Sequence, residues 1–198
     1  MNKILLYLQF RFWHLICQVL FMKKFLIILL SVFFLSFDLV DYAIYQKDPG
    51  PEKFKAIFIY NFTKNFEWPE SKADVFNIVI LGNNPALINY LTEMSNTKMV
   101  GTKKVVVKNI ANISEAAKPE ILFILPDKSS VLAEAVAKYK AKGTLIITEK
   151  QGLAKVGAAI NFVVADNNIK FELNKTSAGK AGLVVSSKIE AMALKVID

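Results

Sequence analysis

Aromatic residues recur every four positions at Phe54, Phe58, Phe62 and Phe66, and Ile57 fills the slot three past Phe54. That spacing predicts an amphipathic helix whose stripe faces a core, with Lys53, Lys64 and Asn65 toward water. Asp48 and the prolines at 49 and 51 punctuate its start, and Pro69 bounds its end. The period then changes. Residues 76–82 (FNIVILG) are a continuous apolar strand closed by glycine. In NNPALINYLTEM, which follows, Asn84 can cap a helix with Pro85 in its first position. Runs at 102–110, 120–125 and 144–149 predict three more strands, the middle one apolar on both faces as a central strand should be. A short SEAA segment follows the first of these. SSVLAEAVAKYKAK (129–142) predicts an amphipathic helix stopped by Gly143.

The chain's end reads differently. Residues 158–174 form two strands around Asp166-Asn167-Asn168, an antiparallel hairpin. A short turn and a last helix follow. Ser187 to Glu190 has capping-box spacing, and Ile189, Met192, Ala193 and Val196 give its buried stripe. These elements predict a single α/β domain: a mostly parallel sheet flanked by helices, with a C-terminal antiparallel hairpin and a final helix.

The first 43 residues stand apart. FLIILLSVFFLSF (25–37) is an uncharged, almost wholly apolar run behind Lys23-Lys24, the pattern of a secretory signal sequence. It is shorter than the roughly 20 residues of a spanning helix. Met22 opens this unit, which makes residues 1–21 an upstream extension and 22–43 the signal sequence or anchor; the alternative is that residues 4–21, also rather apolar, are expressed and extend the anchor. Ala43 is the expected last residue removed. Asp41, three positions before the cut, favours the alternative of an uncleaved anchor. Cys17 is a poor lipidation site because bulky Ile16 precedes it. Residues 44–198 are then the folded domain, long enough to bury a proper core.

Composition narrows the chemistry. Beyond residue 43 the chain carries 21 basic and 15 acidic residues, and every basic one is lysine. Scattered lysines without arginine argue for a solvated surface and against nucleic acid as a partner. After residue 24 there is no Cys, His or Arg. A disulfide framework, the usual zinc, haem and iron–sulfur ligands, cysteine nucleophiles and histidine bases are thereby excluded from the domain. No cofactor is expected.

Few local motifs suggest a site. Gly82-Asn83-Asn84-Pro85 lies between strand and helix, where phosphates can bind, but a lone glycine there reads as a tight turn. Gly179-Lys180 lacks the other positions of a phosphate loop. Glu172 and Asn174 share a strand face and can meet Asn161 from the partner strand. With Asn83 they make a candidate polar ligand cluster. The alternative is that Asn174 caps the next turn and Glu172 pairs with a lysine. Glu67, beside Trp68, has no second carboxylate near enough in sequence for general acid–base work.

The blocks KAIFIYNFTKNFEWP, IVILGNNP, ILFI and GLAKVGAAINFVV…IKFELNKTSAGKAGLVVSSKI resemble the YfiR family of exported bacterial regulators, in order and spacing, over roughly residues 52–196. The resemblance implies a periplasmic α/β domain without catalytic activity. It implies repression of an inner-membrane diguanylate cyclase through that enzyme's periplasmic part, which ties the protein to cyclic di-GMP and biofilm control. An outer-membrane lipoprotein and a second copy of the chain are the further partners it implies. Trp68-Pro69, Gly82, Gly157, Asn161, Phe162, Glu172, Asn174 and Ser187 match the family pattern. Cysteine pairs found in some relatives are absent. Two functions are therefore expected in order: a regulatory protein that contacts a partner through Phe66, Trp68 and Pro69, and a periplasmic small-ligand module with its pocket near the hairpin and the Asn83 loop.

Overall fold

The computed structural model describes residues 50–198 and, before them, residues 13, 22–24 and 26. The leader expectations, including the cut after Ala43, lie outside the described residues. Among the described residues no helix is long and apolar enough to cross a membrane.

The domain opens with helix α1 (Pro51–Asn65), started by a proline in its first turn. It ends where Phe66 turns extended and begins β1 (Phe66–Glu67). Next come β2 (Val75–Leu81), α2 (Pro85–Thr97), β3 (Met99–Val100) and β4 (Lys103–Ile110). The Asn84 carboxamide caps α2, its Oδ1 accepting from Leu87 N at 3.1 Å. After a 3-10 turn at Ile113–Glu115 the chain makes β5 (Ile121–Ile124), α3 (Leu132–Lys138) and β6 (Leu145–Thr148). The hairpin of β7 (Ile160–Ala165) and β8 (Asn168–Asn174) turns on Asp166 and Asn167, both at positive φ as a two-residue turn requires. Helix α4 (Lys175–Lys180), β9 (Val184–Val185), α5 (Ser187–Met192) and β10 (Lys195–Ile197) complete it.

Eight strands form one sheet in the order β10-β8-β7-β6-β5-β2-β4-β3, antiparallel only at β7–β8 and β3–β4. β1 and β9 pair separately. One face is covered by α1, α2 and α5. Its core is aromatic: Phe62, Phe123, Phe162 and Phe171 are fully buried, and Phe62 meets Phe171 edge to face at 5.2 Å. Burying each such side chain contributes about 1.5–3 kcal/mol. The other face is covered by α3, with Leu132, Ala135 and Tyr139 on Leu81, Leu122 and Ile124.

Three expectations need correction. Phe54 and Ile57 remain 43% and 40% exposed. Four residues of helix advance more than one 3.6-residue turn, so a stripe of spacing four drifts about 40° per step. The drift puts Phe62 in the core and winds Phe54 out of it, while Ala56, Ile59 and Tyr60 fill the inward face. The helix expected over 129–142 is a 3-10 segment at Pro126–Val131 followed by two turns of α3. The last helix stops at Met192. Ser186, one residue before the expected Ser187, sits at its N-cap, without a side-chain bond. Residues 195–197 instead add a parallel edge strand to β8, aided by Leu194 N donating to Phe171 O at 2.8 Å. Ile189 of the expected stripe is buried, but Met192 and Val196 are exposed.

Candidate functional site

Parallel strands align their ends, so the two edges of the sheet gather what the loops carry. At the carboxyl end of β6, Thr148 stands opposite Asn161 near the start of β7, and Asn161 stands opposite Glu172 near the end of β8. Thr148 Oγ1 donates to Asn161 Oδ1 at 2.7 Å, and Asn161 Nδ2 donates to Glu172 Oε2 at 3.1 Å. Asn161 is fully buried. Asn174, two residues on from Glu172, is spent elsewhere: its Oδ1 accepts from Ser177 N and its Nδ2 donates to Ala154 O, both at 2.7 Å. It thus caps α4. Asn83 is exposed at the end of β2, with β5 and β6 between it and the hairpin. Of the four cluster candidates the structure joins Asn161 and Glu172, and it does so in a closed row.

The same edge holds a second polar pair on the aromatic face. Lys55 of α1 is ion-paired with Glu149, just past β6, and with Glu52 at 3.6 Å. Both side chains of the first pair are nearly buried, so they anchor the start of α1 over the carboxyl ends of the strands.

The amino ends differ. A cleft of about 690 Å³ opens there beneath the end of α1. Phe66, Trp68 and Phe76 form one wall, with Trp68 5.9 Å from Phe66 and edge-on to Phe76 at 5.1 Å. Trp68 Nε1 donates to Glu120 O at 3.3 Å. Phe66 is only 4% exposed, so it supports the indole from behind and belongs to the core. Trp68 is half-buried and Pro69 exposed. Of the three residues expected at a partner contact, these two reach the surface. The Pro69 ring lies across Gly143: a Cβ there would stand 2.7 Å from Pro69 Cδ, and Gly143 has φ +73°. Only glycine fits at that close approach.

Lysine supplies the rest of the cleft. Lys72, Lys118 and Lys142 each precede a strand by three residues, and Lys103 opens β4. Because β6, β5, β2 and β4 are neighbours in parallel, these four positions meet on one rim. The signal was present in the sequence as a lysine just upstream of each strand, but only the strand order turns it into a cluster. Glu70 and Glu120 are the acidic lining residues. The Glu120 carboxylate is engaged, accepting from Asn77 N at 2.7 Å and Asn77 Nδ2 at 3.3 Å.

Two groups elsewhere have perturbed protonation. Burial pushes the Tyr60 phenol above its ordinary value of 10.0, and its OH donates to Met99 O at 2.9 Å. The exposed Asp166 carboxyl is held below the usual range by its hydrogen bond and charge contact with Lys170. Among the described residues no group of three His, Cys, Asp or Glu is placed to hold a metal ion.

A family model described as YfiR/HmsC-like matches residues 52–193. No curated protein matches. Among solved structures, the ABC domain in complex with L-Trp from Streptococcus pneumonia is 12% identical with a TM-score of 0.49, over 74% of this chain and 60% of that one. This chain thus spans less than two thirds of that protein, and the likeness is too distant to bear on function.

Proposed function

The chain belongs to the YfiR/HmsC-like family of periplasmic, non-enzymatic regulators, and we propose from that premise that it is exported and restrains an inner-membrane signalling protein. The signalling protein is a diguanylate cyclase or a receptor of similar build, whose external domain this chain occupies or releases. Cyclic di-GMP synthesis and biofilm formation would rise on release. The observation that carries this reading is the reach of the match, residues 52–193 of a domain described from residue 50 to residue 198. The regulatory property therefore belongs to the whole domain, and its output depends on what the domain's surface contacts.

The physical demand on such a contact is modest. A difference of a few kcal/mol in affinity for two receptor states is enough to shift their populations decisively. Half-buried aromatic residues supply such energy efficiently. The edge formed by Trp68 and Pro69 is the proposed contact, with Phe66 as its support. An outer-membrane lipoprotein that sequesters the chain, and a homodimer, are compatible with the same reading.

The test is crosslinking of the tagged full chain at native level in its own cells, followed by mass spectrometry. Recovery of one membrane protein with a cytoplasmic signalling domain is expected, and Trp68→Ala should cut that yield about tenfold while the thermal melt stays cooperative. Recovery of no signalling protein above a tag-only control would overturn the reading.

A further inference from the structure

We propose that the cleft at the amino ends of β2, β4, β5 and β6 binds a small organic dianion, a phosphate or paired carboxylate on a compact apolar body. The size is right: small-molecule sites run from about 300 to 1,000 Å³ and combine an apolar wall with a few placed polar groups, and this cleft holds about 690 Å³. The wall is the half-buried Trp68 indole, backed by the buried rings of Phe66 and Phe76. It offers an apolar flank and one ring edge to a planar or branched group.

The charge decides the ligand class. Four lysines face two glutamates around the cleft. Lys103 Nζ donates to Ser71 O at 3.1 Å, and Glu120 is engaged with Asn77. Among the described residues Lys72, Lys118 and Lys142 form no ion pair. Like charges gathered on one rim repel each other, and a dianion relieves that repulsion. Lysine is a point charge on a flexible stem, suited to a tetrahedral phosphate or a pair of carboxylates without a fixed orientation. The aromatic wall beside it accounts for the apolar body, which a bare inorganic ion would leave without contact.

The inference does not rest on the partner reading, since binding to the cleft needs no second protein. Trp68 makes it measurable. With Trp13→Phe in the full chain, Trp68 is the sole tryptophan, and its fluorescence reports on the cleft directly. The probes are phenyl phosphate, phenol and inorganic phosphate. Phenyl phosphate should change the emission saturably with a Kd below about 1 mM, and binding should weaken several-fold as salt rises from low to high. Lys118→Gln/Lys142→Gln should weaken it by about tenfold or more, since both charges face the same anion. Both lysines are exposed, so the variant keeps its fold. The proposal is overturned if phenyl phosphate does not saturate, or binds equally well to the double variant. Equal binding of phenol would remove the dianion from it, and equal binding of inorganic phosphate would remove the apolar body.

Discussion

The two edges of the sheet are built from similar materials and end up opposite in character. At the carboxyl edge of β6, the buried Thr148 and Asn161 and the half-buried Glu172 bond to one another in a row, and Lys55 is matched by Glu149. At the amino edge, Trp68 and four lysines surround an open cleft in which three of the lysines have no carboxylate partner among the described residues. The contrast separates polar groups that stabilise from polar groups that wait. A buried amide whose bonding capacity is met inside the fold specifies strand alignment, and it has little left for a ligand. Unmatched charge beside a half-buried indole stabilises nothing at home and so marks the edge where an outside molecule gains most.

The sharpest way to break that contrast is Asn161→Ala. Removing the fully buried carboxamide leaves the Thr148 hydroxyl and the Glu172 carboxylate short of a partner, and should cost about 2–4 kcal/mol in urea unfolding. A loss under about 0.5 kcal/mol would move this row from structure to function. Next in size is Gly143→Ala at the cleft, which meets both the positive φ and the Pro69 ring. About 2 kcal/mol of destabilisation is expected. Adding Pro69→Gly should recover part of it, because the two residues are in contact; strict additivity would mean that the ring has room to move.

A third test sharpens the comparison through pH. The Tyr60 phenol is raised by burial above 10.0, so the folded state holds its proton more tightly than the unfolded chain. Its contribution is fully present below that value and is lost as pH rises through and above it. Tyr60→Phe should remove that component of alkaline destabilisation, read as a shallower fall in melting temperature above pH 10. The smallest effect belongs to Phe54→Ser and Ile57→Ser. Both residues are exposed in the first two turns of α1, and each change should stay within about 0.5 kcal/mol in the same urea assay. A cost of 2 kcal/mol or more would place them in the core after all.

Many local signals are legible where a residue acts on its neighbours, although the helix start expected at Ser187 lies one residue earlier and the helix expected over 129–142 is shorter. Asn84 and Pro85 announce α2, the β-branched run announces β4, and Asp166-Asn167 announces the hairpin, because capping, χ1 stiffness and positive φ are short-range effects. Most of what the sequence leaves hidden depends on partners far along the chain. β10 exists because β8 offers an edge to residues 195–197, which nothing in their helical spacing reveals. Trp68 takes its half-buried place from Phe76 and from the carbonyl of Glu120, 52 residues away. The lysine rim needed the strand order, since four single lysines spread from 72 to 142 form no local motif. The Phe stripe failed for a geometric reason alone, the difference between a spacing of 4 and a turn of 3.6.

The aromatic face of α1 also sets a timetable. Phe58 and Phe62 pack on Phe162 and Phe171, so the aromatic stripe of the first helix lacks these ring partners until the hairpin has been made some 100 residues later, while α2 can cover only part of the helix sooner. At about 5–20 residues per second of synthesis, that is an interval of roughly 5–20 s during which a half-covered aromatic stripe must be kept from aggregating. A chain delivered unfolded across a membrane meets the same order of arrival. Its dependence on a holding chaperone should therefore be concentrated in residues 54–66, and polar substitution at the exposed Phe54 and Ile57, which belong to neither the Lys55–Glu149 pair nor the cleft, should speed recovery of soluble protein.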